Sequence, residues 1–419
     1  MKLNKTAFRR KTLSRKTVHI VTYLIAIGCT LTTLATAFNS SDEEIIPSGI
    51  RPLVITKGGV YSGSWGSSDA NIPAIDIQTD QPVVIENSTM RGRGNIISAL
   101  RGRLVIRNSV IYGINSNVSG RPQGNFLNLN EMYSLDVRNN TINGTLGIYM
   151  RAYVGSPSKG ETIKISQNKF RNIDGRPSNG KGGYQLDYSN QHPHMIQLND
   201  VHSVPNVEIS WNEVINEPGK SLVEENINLY ESGGTLSSPI LIHDNYIQGA
   251  YGPQPANDIN YAGGGIVLGD SGRDNPTTGF VNVYNNTVVS TTNQGIAIAG
   301  GSHNHVFRNR IVSSGLLPDN RRIIAQNVGM YLWDIHNSPT SRATFNNNSM
   351  EDNYVAWNRV NSNGTVSNNP WWFPSCGTNN ITCSGNISGG RATLQSEARE
   401  YVLWLEKLNS NGVKIGQIK

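Results

Sequence analysis

Three acidic residues hold matching places in three short segments of alternating apolar residues: Asp200 closes MIQLND, Glu231 closes NINLYE and Asp270 closes GIVLGD. Carboxylates stacked at the spacing of neighbouring strands, about 5 Å, repel one another, so one of them is held protonated unless a cation sits among them. That arrangement suits a proton-donating acid beside an ionised carboxylate, as glycoside cleavage needs. It equally suits Ca²⁺, which takes several oxygen ligands, and Asp200, Glu231 and Asp270 would then be its ligands. Arg151 and His202 lie near the same segments and add candidate proton-transfer groups, with Tyr230 a further base for an elimination. His192 and His194 flank the strand at 195–200 together with His202. The opposing reading is that the acids only solvate a turn.

Whether these residues meet depends on a repeat. The pattern apolar, any, apolar, any, any, Asn, any, apolar occurs as LDVRNNTI at 135–142, IKISQNKF at 163–170, VEISWNEV at 207–214, ILIHDNYI at 240–247 and VNVYNNTV at 281–288. Fainter copies at 83–90 and 104–111 carry Ser in the Asn position. Alternation of period two reads as a strand with one face inward, and an Asn after it tolerates the left-handed backbone of a tight corner. A second strand goes with each copy, FLNLN at 126–130, GIYMR at 147–151 and GMYLWD at 329–334 among them. Each unit is therefore expected to hold two strands and one sharp corner, with no helix between. Stacked units would place the Asn residues in line as a hydrogen-bonded ladder.

The interval between key positions runs from 21 residues (88 to 109) to 44 (168 to 212), so the coil is short and the excess is loop. The long loops are expected to leave the solenoid on one flank. With Leu129, Met150, Leu198, Leu229, Leu268, Ile298 and Leu332 aligned inward, Asn128, Tyr149, Gln197, Asn199, Asn228, Tyr230 and Trp333 face outward near the acids. Amides interleaved with aromatic rings are what a sugar chain needs, and these seven are the expected substrate contacts.

The Asn-punctuated coil with paired short strands resembles the right-handed β-helix repeat of the pectate-lyase-like superfamily over residues 50–370. That resemblance implies an all-β fold, a right-handed parallel β-helix of about ten coils. The superfamily holds polysaccharide lyases, glycoside hydrolases, uronan epimerases and non-catalytic surface proteins. None of the superfamily's Asn-Thr-Asp, Asp-Asp or Asp-Pro-His-Asp signatures is present, so no catalytic residue carries over by motif.

The ends of the chain complete the organisation. Seven bases from Lys2 to Lys16, an apolar run from Val18 to Ala37 and the small-residue site Ala35-Thr36-Ala37 read as a signal peptide over 1–37. The alternatives are a retained membrane anchor and a lipid anchor on Cys29. With those seven removed from the 36 bases, 29 face 30 acids, so no basic excess recommends a nucleic-acid partner. Residues 38–391 form the β-helix domain with its cysteine loop, in which Cys376 and Cys383 are expected to pair in an oxidising compartment. Leu394, Ala398, Tyr401, Val402, Leu405 and Leu408 recur at helical spacing, giving a capping helix and tail over 392–419. The expectation is a secreted or periplasmic enzyme that cleaves or remodels a polysaccharide in a groove centred on residues 195–270, by hydrolysis or Ca²⁺-assisted elimination. The competing expectation is a non-catalytic glycan-binding or surface-structural solenoid. Exported protein should begin at Phe38, which intact-mass measurement checks, and a lipid-modified Cys29 terminus would overturn that.

Overall fold

The computed structural model describes residues 46–186, 192–260, 262–270, 278–338 and 344–418, and the expected leader lies outside them. The chain winds as a right-handed parallel β-helix with three strands per coil. The first face runs from Leu53–Ile55 to Trp371–Trp372, the second from Gly59–Tyr61 to Ser349–Glu351 and the third from Ser64–Ser67 to Ile387–Ser388. Among the described residues eleven strands stack on the first face. Pairing between neighbouring coils is parallel throughout the three faces, and the exception is the hairpin of Tyr354–Val360 with Val366–Asn368.

The third strand corrects the two-strand unit read from the sequence. The repeated motif spans two strands, not one: in LDVRNNTI, Leu135 and Val137 belong to the second face and Ile142 to the third. Between them lies a corner of two residues. The first, Asn139, Gln167, Trp211, Asp244, Asn285, Arg308 or Asp352, takes the left-handed backbone. The second is the motif Asn, which turns inward and is buried. Left-handedness and the ladder were thus assigned to one residue and are divided between two.

The ladder itself is continuous. The backbone N–H of Asn140 donates to Asn168 Oδ1 at 3.1 Å, and the same bond links Asn168, Asn212, Asn245, Asn286, Asn309, Asn353 and Asn386 in turn. Each Nδ2 donates onward to the next Oδ1 and also to a carbonyl of the coil before, as Asn245 does to Asn286 Oδ1 and Ile209 O at 2.9 Å. Ser109 and Ser88 continue it with hydroxyls, as their motif position suggested.

Inside, like residues stack on like. Ile85, Ile106, Val137, Ile165, Ile209, Ile242, Val283, Val306 and Met350 form one buried column on the second face. The aligned set from Leu129 to Leu332 forms another on the first, with the register expected from the sequence. Trp371, Phe373 and the disulfide-linked Cys376 and Cys383 pack on the last coil's core.

The C-terminal helix, Leu394–Ser410, opens on a Thr393–Ser396 capping box. It covers the solenoid along its third face as well as near its end. Ala392 packs with Val312 and Ala356, Glu400 receives both Arg310 nitrogens at 2.7 and 2.8 Å, and Trp404 stacks on Trp211 and Tyr246 while donating to Glu213 at 2.8 Å. Among the described residues no helix is long and apolar enough to cross a membrane.

Two measurements check these forces. Asn245→Ala strands the Asn212 N–H and amide and the Ile209 carbonyl, at about 1–3 kcal/mol for each buried group left unpaired, so urea unfolding should show a loss of roughly 3–5 kcal/mol. Burial pushes the Glu397 carboxyl up to about 7 although it accepts the Ser314 N–H. The unfolded chain ionises near 4.5, so this group contributes most at acid pH and its contribution falls as pH rises from about 4.5 to 7. Glu397→Gln should therefore gain stability over wild type progressively across that window, by up to about 3 kcal/mol at pH 8, as read by urea midpoints.

Candidate functional site

Among the described residues every second-to-third corner is two residues long, so no insertion enters there. The long insertions leave at the other two junctions, both of which border the first face. Residues 172–186, 216–224, 251–260 and 314–327 precede first-face strands, as the sequence suggested, while 152–162, 200–207, 231–239 and 333–338 follow them. Among the described residues the loops thus leave on two flanks rather than one, and the outer surface of the first face is the floor between them.

The floor carries the expected columns. Asn128, Tyr149, Gln197 and Asn228 are register partners across four coils, and Arg151, Asn199, Tyr230 and Asp270 form the parallel row. Trp333 lies farther along, its ring 5.3 Å from that of Trp372 with both partly exposed. At Val267, Ala297 and Ala299 the floor is apolar and covered by Tyr331 and Ile335, so its polar strip belongs to the coils before Val267.

The acidic column does not form as expected. Asp200 and Glu231 occupy left-handed corners, φ 57° and 43°, linked by the bond from Asp200 N–H to Tyr230 O. Asp200 faces solvent and pairs with His202 at 2.8 Å. Asp270 leaves the series because the register shifts after Leu229, so it pairs with Tyr230 rather than Glu231. Gly269 takes φ +72° there, and a Cβ on it would lie 2.2 Å from Gly300 O. The displaced Asp270 carboxylate instead receives Asn228 Nδ2 at 2.8 Å.

That bond joins Asp270 to a cluster at the opposite end of the strands. The Asn228 amide also reaches Glu225 Oε2 at 3.4 Å, and Glu225 is the register partner of His194. His194 Nδ1 donates to the Glu225 carbonyl at 3.0 Å, leaving Nε2 directed toward Glu224 Oε2 at 3.8 Å. One ligand atom from each of His194, Glu224 and Glu225 falls within 4.8 Å of the others, a donor set that fits a metal ion. His192, two-thirds exposed, places Nδ1 2.5 Å from Glu224 Oε2. Six residues of strand separate this cluster from the Asp200–His202 pair, roughly 20 Å at 3.3 Å per residue.

The electrostatics follow from burial without a lysine or arginine partner among the described residues. Among the described residues only histidines pair with Glu224 and Glu225. Burial, with the neighbouring Glu224 and Asp270 charges, raises the Glu225 carboxyl well above the usual carboxylate range. Burial likewise raises Glu224, against the pull of His192, and it lowers His194 to about 3 despite the bond to Glu225 O. Burial first, then Glu225 and Asp270, raises the Tyr331 phenol.

Glu224, Glu225 and Gln294 were not singled out in the sequence, and His194 was noted only as flanking the strand. The signal was available: His194 precedes Ile196, and Glu225 precedes Ile227, by the same two residues. A column read at the start of the strand rather than its end would have aligned them.

No family model matches the chain, and no curated protein does. Two solved structures align with most of it. One is a mannuronic acid-specific polysaccharide family 6 lyase from human gut microbiota, with 11% identity, TM-score 0.38, and coverage of 88% of this chain and 85% of that one. The other is the alginate lyase AlyF-OU02 in complex with G6, with 12% identity, TM-score 0.35, and coverage of 84% and 82%.

The His194 ring should remain neutral, with its proton on Nδ1, from pH 8 down to about pH 4. Long-range ¹H–¹⁵N correlation of ¹⁵N-histidine protein checks this, and an imidazolium pattern near pH 6 would contradict it.

Proposed function

We propose that this protein is an exported enzyme that cleaves a uronate-bearing polysaccharide by β-elimination on the outer surface of the first face. One observation carries the reading: an exposed histidine, His192, is held through one ring nitrogen by the Glu224 carboxylate, beside the sunken His194–Glu225–Asp270 cluster. Elimination needs a base for the proton next to the uronate carboxylate, and histidine is the side chain most often used for such transfer. Glu224 orients the ring as the third member of a catalytic triad orients its base, leaving Nε2 free to take the proton. Gln197 and Asn199 offer hydrogen bonds to sugar hydroxyls, while Tyr149 and Tyr230 offer ring faces; Asn228, expected as a third amide contact, is fully buried and bonds Glu225 and Asp270 instead. Arg151 and the Asp200–His202 pair hold the chain at the strip's far end. A uronate carboxylate can approach Glu224, Glu225 and Asp270 only with positive charge between them, and a divalent cation held there would supply it. The disulfide accords with an oxidising compartment.

Hydrolysis is the second reading. Glu225, raised by burial, has the character of a protonated acid, and Asp270 stands one amide away.

A panel of uronate and neutral polysaccharides, followed by ultraviolet absorbance of unsaturated ends and by reducing-sugar release, separates the possibilities. Elimination yields both signals and hydrolysis only the second. Binding with neither signal would establish a non-catalytic glycan-binding protein. On the substrate found, His192→Asn and Glu225→Gln should each lower kcat at least ~100-fold. Asp200→Asn should lower it less than ~10-fold, with unfolding midpoints near wild type for this exposed change.

A further inference from the structure

We infer that His194 Nε2, Glu224 and Glu225 are the ligands of a divalent transition-metal ion of the zinc or manganese class, with Asn228 and Gln294 completing its surroundings. The inference deepens the site of the proposed function but rests on donor chemistry, and it can fail separately from that function.

The first argument is preorganisation. A metal-bound histidine usually gives its other ring N–H to a carbonyl or carboxylate, which fixes the tautomer and aims the free lone pair. His194 already does this, through Nδ1 to the Glu225 carbonyl at 3.0 Å, on a strand whose register sets it beside Glu225. The imidazole is therefore committed to presenting Nε2, and what it faces at 3.8 Å is a carboxylate oxygen. Two acceptors aimed at one point do not attract each other; a cation between them would.

The second argument is independent of the ligands. Asn228 and Gln294 are 0% and 1% exposed, and Asn228 Oδ1 and Gln294 Oε1 have no hydrogen-bond partner. Buried polar atoms are paired in nearly all proteins, so an unpaired oxygen on each of two buried amides bordering the carboxylates leaves acceptors for a further partner. Both amides belong to the cluster. Asn228 Nδ2 bonds Glu225 and Asp270. The Gln294 side chain crosses Gly264, where a Cβ would meet Gln294 Nε2 at 2.4 Å and Glu225 Cγ at 3.1 Å. The absence of a side chain at Gly264 is what lets the Gln294 amide approach Glu225. The site thus gathers carboxylates and an imidazole lone pair bordered by two amides with unpaired oxygens, while among the described residues no lysine or arginine pairs with Glu224 or Glu225.

The third argument selects the metal. Calcium takes oxygen ligands in sets of six to eight, whereas imidazole nitrogen suits zinc and other first-row ions. One nitrogen and two carboxylates are three protein ligands, the number that leaves a catalytic metal open to water or to a sugar oxygen. The Ca²⁺ expected from Asp200, Glu231 and Asp270 is thereby replaced by a different ion at a different end of the same strands.

The test uses the full mature chain, stripped with a chelator and dialysed. Isothermal titration with Zn²⁺, Mn²⁺ and Ca²⁺ should give one site that takes Zn²⁺ or Mn²⁺ at least ~100-fold more tightly than Ca²⁺. Co²⁺ should produce visible ligand-field bands. His194→Ala and Glu225→Gln should each remove the site, with circular dichroism confirming the fold, and Glu224→Gln serves as a second ligand variant should either fail to fold. Asp200→Asn and His202→Asn should bind as wild type. Preference for Ca²⁺, binding unchanged by His194→Ala, or no binding of any of the three ions would overturn the inference. Metal uptake without turnover of any polysaccharide would sink the proposed function and leave the metal site standing.

Discussion

The buried asparagine ladder is the interaction on which the rest of the molecule depends. A parallel coil that turns sharply leaves backbone groups pointing into a dry interior, and each must find a partner. An asparagine side chain serves two of them at once and links to the asparagines on either side. Its oxygen takes the N–H and amide of the coil before, and its own amide reaches that coil's carbonyl and the next asparagine. Because the ladder advances one residue per coil, it sets the register between coils. It also forbids insertion at its own corner, since an added residue would move the asparagine out of line.

That prohibition shapes the surface. Length variation among the described residues falls at the two junctions that border the first face, and the C-terminal helix packs on the third. Register on the first face then converts a sequence position into a column of like-placed side chains. A single departure has large consequences: the shift after Leu229, with Gly269 in the left-handed region, takes Asp270 out of the corner series and delivers its carboxylate to Asn228.

The third face shows how differently buried acids are handled elsewhere in the chain. Glu213 lies against Lys169, Arg171 and the Trp404 indole, Asp244 against Lys407, and Glu400 against Arg310. Each has a cation at hand, and together they fasten the helix to the solenoid, whereas Glu397 of the same helix takes the Ser314 N–H instead and is raised by burial. Among the described residues Glu224 and Glu225 have only histidines as ionic partners. The contrast sets the first-face cluster apart from the structural ion pairs, because burying carboxylates beside neutral imidazole costs stability unless something else is bound there.

The sequence by itself determined the repeat, the inward columns and the parallel stacking, because period-two alternation and a recurrent buried polar residue are local facts that survive in a linear reading. Leu129 to Leu332 aligned from the sequence as they do in the fold, and Ser88 and Ser109 stood in the ladder where the motif put them. The corner was misread in one respect. Nothing local distinguishes the left-handed residue from the laddered one when both are asparagine, as at Asn139 and Asn140. The site was decided by tertiary structure. Its members come from neighbouring coils, Glu224 and Glu225 precede their strand's alternation, and Gln294 reaches them only across the gap at Gly264. Whether a carboxylate meets a cation or another carboxylate depends on what lies one coil away, and that distance is set by loops whose lengths follow no period.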